Sequence, residues 1–74
     1  MYVAIEKLEH SPARPLGEPT RFRTLAKQDA EEAAQVWRDR GYILYADLST
    51  KAVIILDKTR AIGVIQLVKV HAKA

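Results

Sequence analysis

The chain has 74 residues, 49% of them hydrophobic and 28% charged, with a net charge of +3 and no cysteine. This length allows a single domain (residues 1–74), and the composition excludes an intrinsically disordered chain. The lack of cysteine excludes disulfides and thiolate metal ligands, so oligomerisation is the remaining common way to stabilise so small a domain.

The N-terminal part of the chain predicts two strands separated by an irregular loop. Tyr2–Leu8 alternates loosely between apolar and polar residues, which indicates a first strand. Residues 9–20 contain all three prolines and Gly17, and these residue types disfavour regular structure. Leu16 is the residue expected to anchor this Pro-rich loop by packing. Residues 21–24 then predict a second, short strand.

Residues 29–40 carry the only strong helical pattern. Apolar residues recur there at the spacing that places them on one helix face: Ala30, Ala33, Ala34 and Trp37. Asp29, with a glutamate three residues later, has the pattern of a capping box. An earlier start, with Thr24 as the N-cap, stays open because Ala26 extends the apolar stripe. Gly41 supplies the left-handed residue that ends the helix.

The stretch from Asp29 to Tyr42 begins with Asp29-Ala-Glu-Glu-Ala33 and ends with Arg40-Gly41-Tyr42. It resembles the helix-to-strand joint of peptidoglycan-binding SPOR domains, in which a helix ends in glycine followed by an aromatic residue. The match covers about a fifth of the chain and recurs in many βαβ units. SPOR domains have a second helix in their repeat, and this chain offers no candidate for it after Tyr42. No function is therefore carried over from the resemblance.

The C-terminal half predicts three strands joined by short polar turns. They cover residues 42–48, Ala52–Asp57 and residues 62–70, where β-forming residues dominate, and residues 71–74 are expected to be a frayed tail. The element order is β-β-α-β-β-β. The predicted fold is therefore a small α+β domain with a mainly antiparallel sheet of four to five strands and one helix packed on one face.

The predicted strands carry apolar residues on both faces. One helix about 10–12 Å wide covers about half of one face of a sheet whose strands lie about 4.8 Å apart. Because a large uncovered apolar patch is rare on a monomer, we expect a homodimer built from sheet faces or from a free edge strand. A sheet that curls into a half-barrel is the alternative. The candidate interface residues are Ile43, Tyr45, Val53, Ile55, Ile65 and Leu67.

A basic cluster suggests an alternative function, nucleic-acid binding. Arginines on one face of the second predicted strand, with Phe22 pointing inward between them, form a stripe that could follow a phosphate backbone. Tyr2 and Tyr45 would be available for base stacking. The competing interpretation is an edge strand kept soluble by charge. The candidate contact residues are Arg14, Arg21, Arg23 and Lys27.

Catalytic and metal-binding patterns are not apparent. His10 and His71 lie far apart in a loop and in the tail, which is not the spacing of a metal site. Asp47 and Asp57 fall at opposite ends of a predicted hairpin, so they cannot act as an acid–base pair. We therefore expect no cofactor, no metal and no enzymatic activity, and an interaction or regulatory domain instead. The absence of a leader peptide or a long apolar run predicts a cytoplasmic protein with no membrane span.

Overall fold

A computed structural model of the chain describes residues 1–49 and 51–71. These residues form one helix and five strands, in the order β1 (Tyr2–Leu8), β2 (Arg14–Pro15), α1 (Arg23–Asp39), β3 (Ile43–Asp47), β4 (Ala52–Asp57) and β5 (Arg60–Lys69). The predicted class, a small α+β domain with the order β-β-α-β-β-β, is confirmed. Thr50, within a predicted turn, and residues 72–74, within the predicted tail, lie outside the described residues.

The five strands form a single antiparallel sheet in the order β2-β1-β5-β4-β3. β5 lies at its centre because it is the longest strand and pairs with both β1 and β4. Pairing shifts between Ile55 and Leu56, which lie opposite Gly63 and Ala61 respectively. Ile62 is therefore the extra residue of a β-bulge, and its side chain packs against the core.

The helix begins at Arg23, six residues before Asp29, the predicted N-cap. Phe22 is the N-cap residue and makes no side-chain capping bond, so the expected caps at Asp29 and at Thr24 are both wrong. The early start follows the apolar stripe, since Ala26 is fully buried. Burial of this upstream turn outweighs the local capping signal.

The helix ends as the sequence predicts. Gly41 has φ = +94°, a conformation that disfavours residues with a Cβ atom. Its N–H donates to the Arg38 carbonyl at 2.9 Å, and the Tyr42 N–H donates to the Trp37 carbonyl at 3.1 Å. These two bonds define a Schellman motif. They turn the chain directly into β3 and place the Tyr42 ring edge-on to Trp37, with centroids 5.0 Å apart.

The predicted strand at residues 21–24 is wrong. β2 lies instead at Arg14–Pro15, inside the predicted loop, and pairs with the outer edge of β1. A bridge between Tyr2 and Thr20 occupies that edge farther along, so residues 21–24 have no strand left to pair with. Phe22, expected to point inward, is 64% exposed. An edge position accepts Pro15 because its missing N–H would otherwise face solvent.

The hydrophobic core lies between the helix and one face of the sheet. Its centre consists of Ala34 from the helix, Ile55 from β4 and Ile65 from β5. Leu16 packs against this cluster from the Pro-rich loop, as expected from the sequence. The core is thin because the helix contributes mainly alanines, which bury little apolar area each.

Candidate functional site

The register of the sheet defines a face that the helix does not cover, called the open face below. Paired residues of neighbouring strands share a face, and residues two apart on one strand do so as well. On the open face, the apolar positions of the four long strands are Val3, Ile5, Ile43, Tyr45, Ala52, Ile54, Leu56, Ala61, Val64 and Val68. The remaining positions are Lys7, Asp47 and Gln66. A solvated face would instead be mainly polar.

The open face is partly accessible to solvent, most of all along β3. Ile43 is 53% exposed and Tyr45 59% exposed, and the central residues Ile54 and Val64 are half-buried. A shallow depression of about 480 Å³ lies on this face beside these two central residues. Val3 and Ala52 are buried there. The chain therefore carries a broad, partly exposed apolar surface on regular strands.

The six residues predicted for a dimer interface do not share a face. Ile43 and Tyr45 lie on the open face, because they pair with Leu56 and Ile54. The other four lie on the face that the helix covers: Val53, Ile55, Ile65 and Leu67. Ile55 and Ile65 are 0% and 1% exposed, so they belong to the core. The prediction grouped the β3 residues with residues of β4 and β5 that are one position away from their true open-face neighbours. A shift by one residue along a strand exchanges the two faces.

A second surface feature, called the basic cleft below, lies on the helix side of the sheet. It is a groove of about 260 Å³ between one flank of the helix and strands β4 and β5. Its apolar residues are Ala30, Ala34, Val53, Ile65 and Leu67. Its cationic residues are Arg23, Lys27, Arg38 and Lys51, accompanied by Glu31 and Gln66. The cleft exists because one helix is too narrow to cover this face.

The predicted basic cluster is divided by the helix. Arg23 and Lys27 line the basic cleft, whereas Arg14 lies beside Trp37 and Arg40 on the opposite flank. Arg21 is exposed ahead of the helix. The expected stripe of strand arginines is therefore wrong, since residues 21–24 are not a strand. The two tyrosines proposed for stacking are also apart, with Tyr2 on the helix side of the sheet and Tyr45 on the open face.

Arg14 has a structural partner. Its Nε donates to Glu6 Oε2 at 2.9 Å, and Trp37 Nε1 donates to the other oxygen of the same carboxylate. Glu6 is only 3% exposed, and a buried carboxylate requires such donors. Arg14 therefore neutralises a buried charge and ties β2 to β1 beneath the helix.

Two cationic residues of the basic cleft, Arg38 and Lys51, were not identified from the sequence. Arg38 is eleven positions after Lys27, which is close to three helical turns, so the helical period alone would have placed both on one flank. Lys51 has no such signal. It reaches the cleft only because the β3–β4 hairpin folds back beside the helix.

The histidines and aspartates considered for metal binding and for acid–base chemistry lie apart in the structure. His10 and His71 are both exposed, and no three His, Cys, Asp or Glu side chains among residues 1–49 and 51–71 are grouped to hold a metal ion. Asp47 and Asp57 end β3 and β4 at opposite ends of their hairpin, as expected. Asp47 accepts hydrogen bonds from the Ser49 N–H and hydroxyl, which is a turn contact. Within the described part of the chain, no helix has the length and apolar character needed to span a membrane.

Comparison of the chain with protein-family models, with curated proteins and with solved structures finds no match. A function for this domain therefore has to be argued from the open face and the basic cleft themselves.

Proposed function

We propose that the chain is a self-associating interaction domain, in which two copies pair through their open faces and act by binding rather than by catalysis. The observation that carries this proposal is the apolar composition of the open face. The four long strands present valines, isoleucines and a leucine on it, and the helix packs on the other face of the sheet.

Covering this face would release a large free energy relative to the stability of a domain of this size. Full burial of one Val, Ile or Leu side chain contributes about 1.5–3 kcal/mol relative to exposure. The total stability expected for 74 residues is about 4–11 kcal/mol. Removing even a few half-buried aliphatic side chains from water therefore contributes energy comparable to the stability of the fold itself.

The size of the open face sets the scale of such a dimer. The four long strands, about 4.8 Å apart, span about 19 Å, and the shared strand length of about six residues spans about 20 Å. Each copy thus offers about 400 Å² before surface relief is counted, and two copies bury about 800 Å², which approaches the lower limit of about 1,000 Å² for a specific interface once the relief is included. Pairing of two such sheets would form a sandwich with strand directions about 30° apart.

The arrangement of the strands favours pairing with a second copy of the chain rather than closure of the sheet within one chain. The strand order is linear, with β2 at one edge and β3 at the other, so the described strands do not close into a complete barrel. β3 is a free edge, and an edge-to-edge dimer through β3 is the competing arrangement for self-association. Burial favours the face, because edge pairing alone leaves Ile54 and Val64 in water.

Sedimentation velocity on the full 74-residue chain at micromolar concentration tests the proposal. The wild type should sediment with about twice the 8.3 kDa chain mass. Ile54→Lys places a charge at the centre of the open face, so it should convert the protein to a folded monomer, with circular dichroism as the check on folding. Val36→Lys is the matched control, because Val36 is an exposed apolar residue on the helix, and it should leave the mass unchanged.

The possible outcomes distinguish the arrangements. A wild-type monomer would contradict self-association altogether. A dimer that survives Ile54→Lys would contradict pairing through the open face and would support pairing through the β3 edge. Dissociation of the Val36→Lys control would show that the helix, and not the sheet, forms the contact.

A further inference from the structure

The net charge of the chain is concentrated at the basic cleft. The sequence holds 12 Lys and Arg against 9 Asp and Glu. The cleft contains four of the basic residues and one of the acidic ones, which leaves 12 − 4 = 8 basic and 9 − 1 = 8 acidic residues elsewhere. The rest of the chain is therefore neutral, and the whole excess of +3 lies around this one groove.

The cations of the cleft are available to a ligand. Within the described residues, the ion pairs involve Arg14, Arg60 and His10, and none involves a cation of the cleft. Arg23 and Lys27 lie one helical turn apart at the start of the helix, where the helix dipole is positive. The first turn contains no acidic residue to offset it. An anionic group is therefore favoured at this end of the cleft.

The floor of the cleft is apolar, in contrast to its four cationic residues. Ala30, Ala34, Val53, Ile65 and Leu67 are aliphatic, and among the residues that the structure describes no aromatic side chain lines the groove. A nucleobase would find no stacking partner there, whereas an alkyl chain would find a matching surface. The volume of about 260 Å³ is close to the lower end of the range for small-molecule sites, about 300–1,000 Å³.

From these observations, we infer that the basic cleft binds a small amphiphilic anion, with its acidic head between Arg23 and Lys27 and a short alkyl body along Ala30, Ala34 and Leu67. Glu31 lies farther along the helix and disfavours the head at that point. This site lies on the opposite side of the sheet from the open face, so it operates whether or not the chain dimerises.

Sodium decanoate, used below its micelle concentration, is the probe. In a two-dimensional ¹H–¹⁵N NMR titration of the full chain, it should shift the backbone amides of Lys27, Ala30, Ala34 and Leu67. Decanol lacks the charge and inorganic phosphate lacks the alkyl chain, so each should bind more weakly at the same amides. The Ile54→Lys variant should bind decanoate as the wild type does, which separates this inference from the dimer proposal.

Two variants test the chemistry. Lys27→Gln keeps a good helix former and removes one charge, and it should weaken decanoate binding about tenfold, as expected for loss of one charge-assisted contact. Arg21→Gln makes the same charge change outside the cleft and should leave the affinity unchanged. Ala30→Leu should block binding by filling the groove, with the charges intact.

Three results would overturn the inference. Decanoate shifts confined to open-face residues would show general apolar adsorption. Equal effects of Lys27→Gln and Arg21→Gln would show attraction to net charge alone. Salt-sensitive binding of labelled single-stranded DNA or RNA, weakened by Lys27→Gln in the absence of decanoate binding, would assign the cations to nucleic acid instead.

Discussion

Two glutamate–arginine pairs in this domain differ mainly in burial, and the same substitution in each should have very different effects. Glu6 is 3% exposed and accepts from Arg14 Nε at 2.9 Å. Glu9 is exposed at the surface and accepts from Arg60 Nη2 at 2.7 Å through both carboxylate oxygens. Methionine preserves much of the aliphatic stem of arginine and removes the charge, so Arg14→Met and Arg60→Met form a matched comparison.

The structure sets the expected size of the Arg14→Met effect. The variant leaves a buried carboxylate with Trp37 Nε1 as its remaining side-chain donor. A hydrogen bond to a charged group contributes about 1.5–3 kcal/mol, and the 69% exposure of Arg14 allows water to replace part of it. We therefore expect a loss of about 2 kcal/mol in the free energy of unfolding. In a domain this small, that loss lowers the melting temperature by about 8–16 °C.

Urea denaturation followed by the fluorescence of Trp37, the single tryptophan, measures both variants. Protein concentration must be held equal, because dimerisation would couple stability to it. Arg14→Met should shift the urea midpoint strongly, and Arg60→Met should shift it little because solvent screens an exposed pair. Equal midpoints for the two variants would refute the assignment of Arg14 to a buried charge pair. Arg14 would then again be a candidate for binding a ligand.

Three further predictions concern the helix ends and the Glu9–Arg60 pair. Gly41→Ala should reduce stability by about 1–2 kcal/mol through its φ of +94° alone, since a Cβ there meets no atom within 4 Å; an unchanged melting temperature would contradict this. Phe22→Asp should raise the melting temperature, because a capping side chain contributes about 0.5–2 kcal/mol at a helix start that has none; a decrease would mean that the exposed Phe22 ring has a packing role. The hydrogen bonds from Arg60 hold the pKa of Glu9 below its ordinary value, so the small stabilisation from this pair is present above the ordinary value and is lost as pH falls through the lowered one. An NMR titration of Glu9 should show that lowered pKa, and Arg60→Met should raise it; identical titrations would argue against the pair.

Local patterns in the sequence determined the helix, the four long strands and their order, but not β2. The helix end at Gly41 is encoded locally, since only a residue tolerant of positive φ fits a Schellman motif there. The strands at Tyr2–Leu8 and Ala52–Asp57 are also local signals, because β-forming residues and turn residues alternate at short range. The apolar excess of the sheet is likewise a property of the sequence, since β4 is a nearly continuous apolar run and any such strand places apolar side chains on both faces.

Tertiary structure decided where the helix begins, which face is open and which cations lie together. The capping pattern at Asp29 predicts one start, but burial of Ala26 against the rest of the domain favours an earlier one. The face on which a residue lies depends on pairing between strands that are distant in sequence, and a shift by one residue exchanges the faces. The local sequence therefore does not specify which of Ile54 and Ile55 faces the helix. Arg14 and Lys27 are thirteen residues apart in the sequence, and the helix separates them, because Arg14 belongs to β2 on one flank and Lys27 to the helix surface on the other.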